Sequence, residues 1–194
     1  MNGFIRRVVT GHDKNGKAIV ISDGLVERVN TNPVRPGHKS TDMWETTAMP
    51  APIPRKEPDP VAQSTHFVAP FGTKIRISEL EPESEDIRKL TSEQAAQCYE
   101  AAGHPASSTF GHGGRHPLMH RTETIDYAVV SEGEMTLVLD DREIVLRQGD
   151  VVVQRGTNHA WSKRSGKRIR MSYILIDWRF DPKLEALIHA KPVE

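Results

Sequence analysis

The sequence predicts an all-β protein, an antiparallel sandwich or barrel with an N-terminal arm and short peripheral helices. Three observations carry that expectation. From Ile125 to Asp177 the chain is a succession of short segments rich in Val, Ile, Leu and Tyr, cut by turn residues. Seven of the thirteen prolines fall between Pro33 and Pro60, where each fixes φ and removes a backbone donor. Helical signals are confined to short stretches after Thr91 and after Pro182.

Taken in chain order, Arg6–Thr10 and Lys17–Ser22 are β-branched runs on either side of Gly-His-Asp-Lys-Asn-Gly, which reads as a hairpin turning at Asn15-Gly16. Residues 1 to 65 are expected to form an arm: this hairpin, then an extended proline-rich segment with Trp44 as its main apolar anchor. A disordered tail is the alternative, and the hairpin and Trp44 argue against it. The barrel is assigned to residues 66–180. Lys74–Leu80 alternates apolar and polar residues, the pattern of a half-buried strand. Thr91-Ser-Glu-Gln94 has the form of a capping box and starts a helix that ends at Gly103. A loop rich in Gly, Ser and His runs from His104 to Pro117. Strands are then expected at Ile125–Val130, Met135–Leu139, Glu143–Leu146, Val151–Gln154, Asn158–Ser162 and Arg168–Asp177. Residues 181–194 form a short helix and tail, with Leu184, Leu187 and Ile188 spaced to lie on the barrel.

Composition excludes several function classes. The 194 residues carry 26 basic and 26 acidic side chains, so no net charge favours a nucleic acid or an anionic membrane surface. No run approaches the roughly 18 apolar residues of a membrane span. The Met1–Val9 stretch lacks the apolar core of a secretory signal. A single cysteine, Cys98, supports neither an internal disulfide nor a cysteine-rich zinc site. A cytoplasmic protein is therefore expected. Gly111-His-Gly-Gly is not followed by the Lys-Ser/Thr of a phosphate loop, and no Gly-x-Ser-x-Gly elbow is present.

Histidine carries the positive signal. Four of the nine histidines (His104, His112, His116, His120) fall within 17 residues, and His159 sits among the strands. The spacing is Gly114, five residues, His120, one residue, Thr122, three residues, Asp126, six residues, Gly133. Fifteen residues later come Gly149-Asp150, then Gly156-Thr-Asn-His159. This resembles the cupin superfamily, whose motifs read Gly-x5-His-x-His-x3/4-Glu-x6-Gly and Gly-x5-Pro-x-Gly-x2-His-x3-Asn. The likeness runs from Gly114 to about Asp177 and is nearest to small bacterial and fungal monocupins. It implies a double-stranded β-helix, or jelly-roll, barrel.

The departures shape what the resemblance implies. Thr122 stands where the second histidine belongs, Asp126 replaces the glutamate, Gln154 the proline and Lys163 the closing asparagine, and the second motif is one residue shorter before Gly156. Carried over position by position, a cupin metal site would retain His120, Asp126 and His159. Two imidazoles and one carboxylate suit Fe2+ with open coordination positions, and Mn2+, Zn2+ or Ni2+ are the other candidates. Thr122 would hold a water or hydrogen-bond Asp126, and His112 or His116 would be the replacement ligand if one is needed.

On one strand face Asp126 groups with Ala128 and Val130, leaving Ile125, Tyr127 and Val129 outward. That apolar face would be covered by the arm or by a second subunit. Thr157, His159 and Trp161 share a face, which makes Trp161 a pocket wall or core filler. Along Arg170–Asp177 the inward set is either Met171, Tyr173 and Leu175 or Ser172, Ile174 and Ile176. Arg155, in the turn before His159, is a candidate for a substrate carboxylate. The expected function is a metal-dependent enzyme, a dioxygenase or a lyase of the decarboxylase or dehydratase kind, acting on a small carboxylate- or carbonyl-bearing substrate. A homodimer is expected from the resemblance. The alternative is a barrel with no metal: a small-ligand binding module, or an epimerase or isomerase with His120 or His159 as base and Asp126 orienting it.

Overall fold

A computed structural model describes residues 5–189 apart from 57, 63, 65, 66 and 111–113. The N-terminal strands are β1 (Ile5–His12) and β2 (Ala18–Val26), then β3 (Asn30–Thr31), β4 (Lys39–Thr46) and β5 (Thr73–Leu80). A helix, α1 (Ser92–Glu100), precedes β6 (Thr124–Glu132), β7 (Glu134–Leu139), β8 (Glu143–Arg147), β9 (Val151–Arg155), β10 (His159–Ser162) and β11 (Ile169–Asp177). The last element is α2 (Pro182–His189). No helix among the described residues is long and apolar enough to cross a membrane.

Two sheets enclose the core. One has the order β3-β4-β5-β11-β6-β9 and the other β10-β7-β8, all antiparallel. Between them lie Ala128 and Val130 of β6, Met171 of β11, Leu137 of β7 and Trp161 of β10, each nearly inaccessible to water. The alternation expected in β6 is observed: Thr124, Asp126, Ala128 and Val130 are buried, and Tyr127 is exposed. Register settles β11, because Leu175 pairs with Asp126 and Tyr173 with Ala128. Paired residues share a face, so Met171, Tyr173 and Leu175 point inward. The other face of β7 is also buried, with Val138 packed under Cys98, Tyr99, Leu118 and Met119. The turn from β6 to β7 needs Gly133, whose φ is 82° and where a Cβ would stand 2.5 Å from the Arg168 carbonyl.

The N-terminal region differs from expectation in one respect. The hairpin forms, with Gly16 at φ 79°, and its strands are longer than the β-branched runs alone suggest. The following segment, however, is no mere extended arm: β4 pairs with β5 along its length and belongs to the same sheet as β6 and β11. Prolines flank β4 but none lies inside it, so every amide can join the ladder. Two of its cross-strand pairs are ionic. Glu45 is paired with Lys74, 3.0 Å apart, and Asp42 with Arg76, 2.6 Å apart. Trp44 is half-buried, with the Arg7 guanidinium 6.0 Å above its ring. Residues of β1 line a groove with Trp44, Ile75 and Ile77, so the arm covers that part of the outer face. Tyr127, Val151 and Val153 on the same sheet remain exposed.

The C-terminal helix forms where expected but does not bury its apolar residues. None of its side chains is buried, and Leu187 is 74 % exposed.

Candidate active site

Strand alternation aims one set of side chains into a cavity of about 110 Å³. Asp126 comes from β6, His159 and Trp161 from β10, Tyr173 and Leu175 from β11, and Arg76 and Ser78 from β5. Each pair is two residues apart on its strand, which is why both members face the same way. Tyr99 of α1 and His104 just after it close another side, and Arg35 and His38 reach in from the loop before β4.

His120 is placed by a narrow antiparallel bridge. Its amide donates to the His159 carbonyl at 2.8 Å, and the His159 amide donates back at 2.9 Å. Opposed residues of such a bridge present their side chains on one face. The two imidazole rings accordingly lie 4.1 Å apart, centroid to centroid. They belong to a continuous series of rings. Phe67 and His104 are 4.1 Å apart, His104 and Tyr99 5.2 Å, and Tyr99 and His120 4.7 Å. Beyond His159 the series goes on through Trp161 at 5.5 Å to Tyr173 at a further 5.6 Å.

Hydrogen bonding sets the tautomer of three histidines. His159 Nδ1 donates to the Thr157 carbonyl at 2.9 Å. Tyr99 Oη gives its proton to the Leu118 carbonyl at 2.5 Å, so toward His120 Nδ1, 3.0 Å away, it accepts. Ser107 Oγ gives its proton to the His104 carbonyl at 2.9 Å and accepts from His104 Nδ1. In each ring Nδ1 therefore carries the hydrogen and Nε2 keeps its lone pair. None of the three Nε2 atoms has a hydrogen-bond partner among the described residues.

Burial also keeps these rings neutral. It lowers His159 to about 4 and, helped by the charge of Arg76, His104 to about 3. His120 is driven well below its ordinary value by burial and by its neighbour His159. Asp126 moves the other way. Burial raises it to about 6, only partly opposed by a hydrogen bond from the Thr124 hydroxyl. Its Oδ1 is buried with no hydrogen-bond partner, as is Nδ1 of His38. Both cavity arginines are already engaged: Arg76 grips Asp42 through two nitrogens, and Arg35 Nη2 reaches Glu83 at 3.2 Å and the Trp161 carbonyl at 2.7 Å.

The structure thus brings His120, Asp126, His159 and Trp161 to one cavity. It does not bring Thr122 or Arg155 there. Thr122 hydrogen-bonds Thr124 at 2.7 Å and so stands one residue removed from Asp126, and Arg155 is exposed on β9. His116 is engaged with Glu83 at 3.2 Å and is no replacement ligand, while His112 lies outside the described residues. His104, a member of the histidine cluster in the sequence, lines the cavity without matching a motif position. Nothing local in the sequence marks Arg35, His38 or Arg76.

The donor set meets only part of what the implied metal needs. His120 and His159 are suitable, since ligating imidazoles anchor one nitrogen and offer the other. A third donor does not join them. Among the described residues no three His, Cys, Asp or Glu side chains converge closely enough to hold an ion. The residues as placed do not make the expected three-ligand site.

Residues 107–176 match the family model of the cupin domain. Over that span, about a third of its length, the chain is similar to cupin domains. The matched span holds His120, Asp126, His159, Trp161 and Tyr173, whereas Arg35, His38, Arg76, Tyr99 and His104 of the same cavity precede it. Phomopsin biosynthesis cluster protein C' of Diaporthe leptostromiformis is 62 % identical over 53 residues, 27 % of this chain and 28 % of its own length. The cupin-domain-containing oxidoreductase srdD of Neurospora crassa is 38 % identical over 96 residues, 47 % of this chain and 48 % of its own. The cupin-domain-containing oxidoreductase virC of Hypocrea virens is 44 % identical over 63 residues, 30 % and 32 % of the two chains. The chain covers less than half the length of each of these relatives.

Proposed function

We propose that the cupin cavity is the active site of an enzyme that moves a proton on a small carbonyl- or hydroxyl-bearing organic substrate. Asp126 takes or returns the proton, and the Nε2 atoms of His120 and His159 hold the substrate in place. The observation that carries this reading is the unpartnered Oδ1 of Asp126 in a cavity with two imidazoles of fixed tautomer. A buried carboxyl near 6 is ionised at neutral pH yet readily reprotonated, which suits a general base. Removing a proton next to a carbonyl opens the way to isomerisation, to dehydration and to reaction of the resulting carbanion with oxygen. The oxidoreductase names of srdD and virC support an enzyme over a simple binding module.

The rival is a divalent metal, Fe2+ first, held by His120, Asp126 and His159. One experiment separates the two. Metal content is measured on protein purified without chelator, beside exchange of the α-protons of 4-hydroxyacetophenone, which has both an O–H donor and a carbonyl, in D2O with EDTA present. The acid–base reading expects trace metal and exchange that persists in EDTA and is lost in Asp126→Asn. Near-stoichiometric iron or manganese that disappears in His159→Ala would replace it with the metal reading.

A further inference from the structure

Resting on that reading, we infer that the substrate class of this cavity is a monocyclic hydroxyarene, a ring bearing O–H donors, and not a carboxylate. Four features point the same way. The first is the hydrogen-bond polarity of the walls. His104, His120 and His159 each have Nδ1 spent on a fixed acceptor, so each offers the cavity a lone pair at Nε2. Asp126 adds a buried Oδ1 that accepts from nothing in the described structure. A ligand meeting such a wall must donate hydrogen bonds. One that only accepts would leave these atoms without a partner where the ligand displaces water.

The second is charge. A carboxylate needs a cation, and each arginine lining the cavity already faces a protein carboxylate with which it would have to be shared. Arg76 is held in two hydrogen bonds by Asp42, and Arg35 by Glu83 and a carbonyl. The Asp126 carboxylate would repel a second anion as well. A neutral phenol meets none of these costs.

The third is the ring series from Phe67 to Tyr173, with centroid spacings of 4.1–5.6 Å. Its outer members, Phe67, Trp161 and Tyr173, offer flat apolar surface beside the imidazole acceptors. Aromatic faces and edges at such separations favour a further ring over a saturated ligand of the same size. The fourth is volume. At about 110 Å³ the cavity is of the order of those that hold a single benzene ring.

The test is binding, measured by calorimetry at neutral pH on the whole chain with three probes: catechol, benzoate and cyclohexane-1,2-diol. Catechol is expected to bind about tenfold or more tighter than either of the others, with and without EDTA. His104→Phe, which keeps a ring but removes one acceptor, is expected to weaken catechol about fivefold and leave benzoate unchanged. Benzoate binding as well as catechol would overturn the polarity argument, and equal binding of the saturated diol would overturn the ring argument. Absence of catechol binding up to about 10 mM, or binding abolished by EDTA, would overturn the proposal outright. Binding requires no turnover. Catechol selectivity without proton exchange therefore sinks only the proposed reaction, and exchange without selectivity sinks only the substrate class.

Discussion

The cavity has two kinds of wall, and they are written into the chain differently. One wall is β6, β10 and β11, where apolar and functional residues alternate and Asp126, His159, Trp161 and Tyr173 fall on the inward phase. The other is β5, α1 and the loops near Arg35 and His104, with β4 flanking β5 in the sheet. There β4 has no apolar alternation, and its place in the sheet is secured by Glu45 on Lys74 and Asp42 on Arg76. The first wall follows from a local period of two. Of the second only β5 follows such a period; β4 beside it is held by charge pairs between residues about thirty positions apart, which no local pattern reveals. The cupin match covers the first wall and stops short of the second.

The largest expected effect tests whether charge pairing really holds the second wall. Lys74 is fully buried and lies 3.0 Å from Glu45, which also accepts from Ser64. Glu45→Ala should cost about 2–4 kcal/mol, because a buried charge loses its closer carboxylate and is left with Asp42 at 3.6 Å. Replacing both residues by apolar side chains (Glu45→Leu with Lys74→Met) should recover most of that loss, since neither charge then needs compensation. Chemical denaturation of the two variants decides the matter. A small loss in the single variant would mean that β4 is held by its backbone ladder and not by its charges.

The next effect belongs to the first wall and has the opposite sign. A carboxyl raised from 3.8 to about 6 binds its proton more tightly in the folded chain. Its contribution to stability therefore falls as pH rises across that interval and stays unfavourable above it, by up to about 3 kcal/mol at neutral pH. Asp126→Asn should be more stable than the parent by about 1–3 kcal/mol near pH 8, and the difference should vanish toward pH 4. The cavity histidines act in the other direction. His159 and His104, lowered from 6.5 to about 4 and about 3, lose stability as pH falls below 6.5. Both proteins share that term, so the difference between their urea curves isolates Asp126. A destabilised Asp126→Asn at pH 8 would show that this carboxylate is held by a cation, and would favour the metal reading.

How much could be read in advance follows the same division. The capping box at Thr91 and Gln94 is present in both directions, with bonds of 3.2 and 2.9 Å, because its chemistry is contained in four consecutive residues. The inward phase of β6 was legible since a carboxylate and small residues alternate with larger ones. β11 was not, because both of its faces are apolar, and only pairing of Leu175 with Asp126 selects one. Arg155 and His159 are near in sequence yet diverge, as a turn separates the exposed end of β9 from the buried start of β10. His38 and Arg35 enter the cavity through tertiary structure alone.

The smallest effect probes the junction where the two walls meet. Tyr99 of the second wall accepts from His120 Nδ1 at 3.0 Å while its own proton goes to the Leu118 carbonyl. That same carbonyl stands 3.3 Å from His120 Nδ1. Tyr99→Phe removes a donor from Leu118 and an acceptor from His120 together, and the two groups left behind are complementary. The imidazole should therefore turn its Nδ1–H onto the Leu118 carbonyl and keep its tautomer, at a cost of about 1 kcal/mol. Nitrogen-15 chemical shifts of His120 report the tautomer directly, and thermal denaturation reports the cost. If Nδ1 remains protonated, the orientation of Nε2 is a property of the backbone beside His120 and the first wall is self-sufficient. A switch of the proton to Nε2 would instead make Tyr99 the residue that sets the polarity of the cavity, and would tie the chemistry of the matched segment to a side chain outside it.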